Sequence, residues 1–177
     1  MLHGMLGAGL WSDRRGDNLL DGAAHFYRTY TTADGGYLAV GPIEPQFYRQ
    51  LLDILGLDPA QWPQHDQSRW PELSGKLAEI FASRTRDEWT ELFAGRDACV
   101  TPVLSLAEAG TSAELRERGT FVDWDGVPQP APAPRLSASP PVKRPRSRAC
   151  GHTDEVLAEL GYQADEIAGL RAASAVA

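Results

Sequence analysis

The chain has 177 residues, and 17 Lys plus Arg stand against 24 Asp plus Glu, which gives a formal net charge of −7 at neutral pH. This acidic balance argues against a nucleic-acid binder, because affinity for DNA or RNA depends on neutralising phosphates. Apolar residues make up 42% of the sequence and exclude a wholly disordered chain. No apolar run approaches the roughly 20 residues that span a bilayer. The first residues lack a secretory signal, so we expect a cytoplasmic protein without a membrane span.

The first third of the chain predicts a helix end, a hairpin and a second helix. Residues 1–11 are apolar and rich in small side chains, as at the end of a helix. Runs rich in Tyr, Thr and Val flank Asp34-Gly35, a dipeptide suited to a tight turn, and predict a β-hairpin over residues 26–40. Pro45 suits the first turn of a helix, which is expected to stop at Gly56. The aromatic residues of the hairpin are expected to form one face of a sheet core, namely Phe26, Tyr27, Tyr30 and Tyr37.

Three further helix starts follow from local signals. Pro71 is predicted to begin one helix. Thr85 with Glu88, and Ser105 with Glu108, have the spacing of a capping box. In that motif each side chain satisfies a backbone N–H group that the first turn of a helix leaves unpaired. The sequence therefore predicts helices that begin directly after Thr85 and after Ser105.

The remainder of the chain predicts short strands, an extended segment and terminal helices. Residues 98–104 and 121–124 read as short strands. Residues 127–145 are so rich in proline that we expect an extended, non-regular segment. The basic run 143–148 is more typical of a solvated surface than of a phosphate or membrane contact. Thr153 is expected to cap a helix, which a short terminal helix follows.

This order of elements predicts an α+β fold, with a small sheet, helices packed on it and an extended Pro-rich tail that ends in short helices. We expect four segments. Residues 1–18 form the remnant of a helix and a linker, and residues 19–126 form a small α+β domain. Residues 127–150 form the Pro-rich extended segment, and residues 151–177 the C-terminal helices.

The cysteines and histidines match no known catalytic or metal-binding spacing. Cys99 and Cys150 belong to no CxxC motif, and we expect two unrelated thiols, one of them buried in an apolar strand, rather than a disulfide or a metal pair. His65 and His152 are expected to face solvent or to cap helices. His25 lies among aromatic residues and is either a base or, more often in such surroundings, a packed and hydrogen-bonded side chain.

Glu44 lies between the end of a predicted strand and a helix that begins with proline. The positive end of the helix dipole favours a carboxylate there. Two interpretations stay open: a carboxylate held in a cleft where strand meets helix, or a helix cap, which local physics favours.

Four blocks in order resemble the family III acyl-CoA transferase/racemase family. The first, starting at Arg15, is RGDNLLDGAAHFYRTYTTADGGYLAVGPIEPQFY; the others are DEWTELFAG, DACVTPVLSLAEA and GHTDEVLAELGY. Within that family, IEPQFY and DACVTPV are most similar to the α-methylacyl-CoA racemase branch. The resemblance covers the C-terminal part of a family member and implies that an N-terminal domain is absent.

The resemblance implies a reaction and a site. In the racemases, a His and an Asp of the N-terminal domain exchange the α-proton of a 2-methylacyl-CoA, without a metal or redox cofactor and with coenzyme A as part of the substrate. Glu44 matches a carboxylate that supports the catalytic His. Leu20, Tyr27 and Ile43 match positions that line the acyl-chain pocket of the partner subunit. The implied partners are an acyl-CoA and either a second copy in an interlocked homodimer or a complementary N-terminal chain.

The sequence departs from the family where GAAHFY replaces the usual GGAPFY, so that His25 stands in place of a proline. Two alternatives remain beside a racemase. One is a family III CoA-transferase, whose N-terminal domain carries an Asp that becomes acylated. The other is a non-catalytic module, either a truncated product or a half-enzyme that binds a separate chain. Because neither proton-transferring group is present, we expect the chain to be inactive without an N-terminal domain.

Overall fold

The chain combines short helices with short antiparallel strands. The structure is a computed structural model that describes residues 1–124, 126–140 and 149–177. The basic run 143–148 and Asp125 lie outside the described residues. The described residues form the helices α1 (Leu2–Gly7), α2 (Pro45–Leu55), α3 (Trp70–Phe81), α4 (Arg86–Phe93), α5 (Leu106–Thr111), α6 (Ala113–Glu117), α7 (Thr153–Glu159) and α8 (Ala164–Ala172). The strands are β1 (Arg28–Thr31), β2 (Tyr37–Val40), β3 (Val100–Val103), β4 (Phe121–Trp124) and β5 (Val127–Pro130), and short 3₁₀ turns span Pro59–Gln61 and Gln67–Arg69.

The chain divides into two units, Met1–Ala109 and Gly110–Ala177. The expected α+β class is confirmed, because helices and small antiparallel sheets occur in one chain. The expected division into four segments stays a prediction. None of the helices formed by the described residues combines the length and the apolar character that crossing a bilayer requires.

The predicted hairpin is confirmed as β1 and β2, joined by a turn at Asp34-Gly35. Gly35 has φ +77°, a conformation that glycine adopts without steric cost. The Asp34 carboxylate accepts hydrogen bonds from the Thr32 hydroxyl at 2.5 Å and from the Gly36 N–H at 3.4 Å. The sequence thus specifies both the turn and its stabilisation.

β3 completes the first sheet in the order β1-β2-β3, and its Pro102 lies directly opposite Leu38. The Gly41 N–H donates to the Cys99 carbonyl at 3.0 Å just before β3 begins. Because inward hydrogen bonds alternate along an antiparallel pair, the position of Pro102 falls where its missing N–H faces away from β2. An edge strand therefore accommodates the proline that interrupts the predicted strand.

The predicted helix boundaries of the first unit are close to those observed. α2 begins at Pro45, and Gly56 ends it in a left-handed conformation with φ +68°. The Thr85–Glu88 capping box is complete at the start of α4. At α5, the Ser105 N–H donates to Glu108 Oε2 at 2.8 Å, and the Glu108 N–H donates to the Ser105 hydroxyl at 3.2 Å.

The core of the first unit lies on one face of the three-stranded sheet, where α3 packs against β1 and α4 against β3. Tyr30 and Leu38 are cross-strand neighbours on this buried face. The expectation that Tyr37 belongs to the same core is wrong, because it lies one residue from Leu38, points to the opposite face and is 51% exposed. The buried cluster comprises Ala24, Phe26, Tyr30, Leu38, Val40, Tyr48, Leu51, Leu52, Trp62, Trp70, Leu73, Leu77, Phe81, Trp89, Phe93 and Ala98.

The second unit corrects two expectations. β5 pairs with β4 in register from Phe121↔Pro130 to Trp124↔Val127, so the start of the Pro-rich segment is a strand and not irregular. His152, not Thr153, occupies the N-cap position of α7, and Thr153 instead donates its hydroxyl proton to the Cys150 carbonyl at 3.1 Å. α6 was not predicted from the sequence.

Candidate functional site

A groove with a volume of 1510 Å³ runs along the free edge of β1 in the first unit. Its floor is the sheet face opposite the core, where Thr29, Ala39 and Thr101 are neighbours across the three strands. The exposed side of α3 forms one wall, through small side chains such as Gly75 and Ala78. These positions of the floor and wall offer methyl groups and hydroxyls, and the larger side chains of Arg28, Tyr30 and Trp70 also line the groove.

Two of the residues expected to contact an acyl chain line this groove. Leu20 lies in the loop before β1 and is 39% exposed. Tyr27 is the residue directly before β1, and both side chains line the groove. The Tyr27 ring lies across Gly41, where a methyl group would meet its Cε2 atom at 3.7 Å. Ile43 and Glu44 are not among the residues that line the groove. Their expected roles stay predictions.

Glu44 occupies the N-cap position of α2, but its side chain makes no capping hydrogen bond. The carboxylate is exposed, and no hydrogen bond of its side chain occurs within the described part of the chain. Glu44 therefore occupies the N-cap position that the helix-cap interpretation predicts, but its side chain does not cap the helix. An exposed, uncommitted carboxylate at the start of a helix is available to a group from another domain or chain.

Cys99 also lines the groove. Both cysteines are free and exposed, so the expectation of a thiol buried in an apolar strand is wrong. Cys99 precedes β3 and has φ +49°, a left-handed conformation that is uncommon for a residue other than glycine. Partial burial, followed by the negative charges of Glu44 and Asp97, raises the pKa of the Cys99 thiol. The thiol is thus held in its protonated, weakly nucleophilic form.

Gln64 is a residue of this region that sequence reasoning missed. Its side-chain amide donates to the carbonyls of Pro42 and Ile43, at 3.1 Å and 2.8 Å. The indole N–H of Trp70 in turn donates to the Gln64 backbone carbonyl at 2.9 Å. A glutamine in a loop carries no sequence signal of such a role, because its partners lie more than 20 residues away.

His25 is fully buried and does not line the groove. Its Nε2 lies 2.7 Å from the Tyr48 hydroxyl, which donates to the Trp62 carbonyl at 3.1 Å. Burial lowers the pKa of His25 to about 4, so the imidazole is neutral at physiological pH. The packed, hydrogen-bonded interpretation of His25 is confirmed. His65 and His152 are exposed, as expected.

Comparisons with known proteins agree on one family. Residues 2–151 match the model of CoA-transferase family III. The chain is 50% identical over 163 residues to the α-methylacyl-CoA racemase of Mus musculus, and this alignment covers 90% of this chain and 43% of the mouse protein. It is 45% identical over 162 residues to the Homo sapiens protein of the same name, which covers 89% of this chain and 42% of the human one.

A solved structure has a similar fold. The crystal structure of a CAIB/BAIF family protein from Brucella suis superposes with a TM-score of 0.61 at 20% identity, over 89% of this chain and 43% of that one. The chain thus spans less than half the length of these relatives, both in sequence and in structure. The match of the family model and the identity to the racemases establish that the chain belongs to CoA-transferase family III.

Proposed function

We propose that the chain forms one wall of the thioester pocket of an α-methylacyl-CoA racemase. In this enzyme the 2-methyl centre of an acyl-CoA is inverted by removal and return of the α-proton. The observation that carries the proposal is the 50% identity with the mouse racemase over 90% of the chain. That protein is named for this reaction, and the blocks IEPQFY and DACVTPV lie in the matched segment.

The groove along β1 supports an acyl chain as its occupant. Acyl chains are recognised by apolar contact, and Leu20, Tyr27 and Ala39 supply such contacts along the groove. Thr29 and Thr101, the cross-strand neighbours of Ala39, add hydroxyl groups to the lining. Coenzyme A enters as part of the substrate, and we propose no metal or redox cofactor.

Glu44 is proposed to support a catalytic imidazole from outside this chain. A carboxylate that accepts a hydrogen bond from an imidazole N–H fixes the tautomer and raises the basicity of the ring, which a proton shuttle requires. Glu44 is suited to this role because it is exposed and makes no capping bond of its own. The imidazole would come from an N-terminal domain on a complementary chain, and we propose that this complex forms in the cytoplasm.

Incubation with a 2-methylacyl-CoA in heavy water tests the proposal. The chain alone is expected to incorporate no deuterium at the α-carbon, because the resemblance assigns both proton-transferring groups to an N-terminal domain. A mixture with the separately expressed N-terminal domain of a family racemase is expected to incorporate it. Deuterium uptake by the chain alone would contradict the assignment of the bases. Lack of uptake in a mixture that forms a stable complex would contradict the racemase proposal.

A CoA-transferase is the second candidate, and the match to the model of CoA-transferase family III favours it. A transferase moves coenzyme A from one carboxylate to another through an acylated aspartate and leaves the α-proton in place. In a mixture with the N-terminal domain of a family transferase and an added carboxylate acceptor, formation of a new thioester, together with no deuterium uptake in the racemase mixture, would favour this alternative.

A further inference from the structure

Gln64 binds two consecutive carbonyls with one side-chain nitrogen. Its Nε2 donates to Ile43 O at 2.8 Å and to Pro42 O at 3.1 Å, across 21 and 22 residues of sequence. These carbonyls belong to the two residues that directly precede Glu44. The connection from β2 to α2 is thus tied to a loop that follows α2.

This connection has little support from its own backbone. Pro42 has no N–H to donate, and the Ile43 N–H folds back onto Gly41 O at 2.9 Å. Glu44 itself makes no side-chain capping bond. Among the described residues, the Gln64 side-chain amide donates hydrogen bonds to both the Pro42 and the Ile43 carbonyl. A short non-helical connection without such a donor has more than one accessible backbone conformation.

Gln64 is itself held in place by buried groups. The Trp70 indole N–H donates to the Gln64 backbone carbonyl at 2.9 Å, and Trp70 is only 4% exposed. Two residues earlier, Trp62 is 7% exposed and accepts the Tyr48 hydroxyl proton on its carbonyl. The amide therefore projects from a segment anchored on both sides in the core of the first unit.

We propose that Gln64 is a positioning residue that fixes the backbone immediately before Glu44, and with it the direction of the Glu44 carboxylate. The inference rests on the proposed function, in which that carboxylate supports an imidazole supplied from outside the chain. A carboxylate orients an imidazole only if it is held within a fraction of an ångström of its productive position. Gln64 supplies that restraint without touching the reacting groups.

The test compares Gln64→Met, which keeps the size of the side chain and removes both N–H donors, with Gln64→Ala. Gln61→Ala is the matched control, since Gln61 is an exposed glutamine of the same loop whose side chain makes no hydrogen bond among the described residues. In ¹H–¹⁵N spectra of the whole chain, we expect the Ile43 and Glu44 amide resonances to shift and broaden in both Gln64 variants and not in Gln61→Ala.

Kinetics separate positioning from a purely structural role. In the mixture with the N-terminal domain that exchanges the α-proton, we expect kcat to fall about tenfold in Gln64→Met, while KM changes by less than about twofold. Spectra of Ile43 and Glu44 that match the wild type overturn the inference whether or not any mixture is active. Altered spectra with an unchanged kcat overturn it as well. A wild-type mixture without any exchange activity contradicts the proposed function, and with it the effect of Gln64 on kcat. In that case the spectra alone decide whether Gln64 orders the connection from β2 to α2.

Discussion

The buried imidazole of His25 and the hydroxyl of Tyr48 form a 2.7 Å hydrogen bond. The direction follows from the single hydroxyl proton of Tyr48, which is donated to the Trp62 carbonyl. Nε2 of His25 therefore carries the proton, and Nδ1 is a buried acceptor with no hydrogen-bond partner among the described residues. This arrangement stabilises the neutral His25 ring and destabilises the charged one, because a protonated Nδ1 would be a buried N–H donor without an acceptor.

The first prediction is a loss of stability between pH 6.5 and pH 4. Burial lowers the pKa of His25 from 6.5 to about 4 in the folded chain. In this range the unfolded chain binds a proton that the folded chain does not, so the free energy of unfolding falls as the pH falls. We expect a loss of about 2 to 3 kcal/mol between pH 7 and pH 4.5 from this residue, measured by urea unfolding followed through tryptophan fluorescence.

His25→Gln separates this effect from other titrations. Glutamine keeps an N–H donor for the Tyr48 hydroxyl and does not titrate, so the variant should lose less stability on acidification than the wild type. His3→Gln, which removes an exposed histidine of α1, is the matched control and should behave as the wild type. Identical pH dependence of His25→Gln and the wild type would show that the buried imidazole does not control acid stability.

The second prediction concerns Arg86 and Glu108, which join the start of α4 to the start of α5. Arg86 Nη1 lies 3.1 Å from Glu108 Oε2 and 3.0 Å from the Val103 carbonyl, and Nη2 binds the other Glu108 oxygen. The Arg86 guanidinium, and then the N–H and hydroxyl of Ser105, lower the pKa of Glu108 from 4.5 to about 2. Its contribution to stability is complete above pH 4.5 and is lost as the pH falls toward 2.

This pH window differs from that of His25, which makes the two effects separable. Glu108→Gln is expected to lower the thermal midpoint at pH 7 by a few degrees and to flatten the acid dependence of that midpoint below pH 4.5, while leaving the change between pH 6.5 and 4.5 intact. Glu91→Gln, which alters an exposed carboxylate without an ion pair among the described residues, is the control. If Glu108→Gln leaves the thermal midpoint unaltered both at pH 7 and below pH 4.5, this ion pair is a surface contact that does not stabilise the fold.

The third prediction concerns Glu44. In the active mixture with an N-terminal domain, Glu44→Gln is expected to lower kcat by about tenfold or more and to change KM much less, because the carboxylate acts on the imidazole and not on the acyl chain. Glu79→Gln, an exposed glutamate on α3, serves as the control. Steady-state exchange rates in heavy water provide both constants. Unchanged turnover in Glu44→Gln would leave Glu44 with only its place at the start of α2.

The fourth prediction tests the groove. Ala39→Trp adds an indole on the groove floor, on the sheet face opposite the core. We expect the affinity for a long-chain 2-methylacyl-CoA to fall by about tenfold or more, since filling a groove excludes its ligand. Ala60→Trp adds the same side chain at an exposed position that does not line the groove. Isothermal titration of the active mixture gives the affinities, and equal values for the two variants would place the acyl chain elsewhere.

Tertiary contacts overruled sequence reasoning at particular residues. Tyr37 carries the same β-propensity and aromatic character as Tyr30, and only the pairing Tyr30↔Leu38 decides that Tyr37 faces the groove side of the sheet. Cys99 follows the buried Ala98 in an apolar run, yet its left-handed backbone exposes the thiol. In each case one residue of register or one backbone angle reverses the direction of the side chain.

The sequence by itself determined the features whose causes lie within a few residues of each other. These are the turn at Asp34-Gly35, the helix Pro45–Leu55 with its end at Gly56, the two capping boxes and the motif blocks that identify the family. The tertiary structure alone decided that Gln64 holds the carbonyls before Glu44 and that His25 bonds Tyr48, across 21 to 23 residues. A cap or a turn satisfies backbone groups that are adjacent in the chain, whereas a buried donor finds its acceptor only after the sheet and helices have packed.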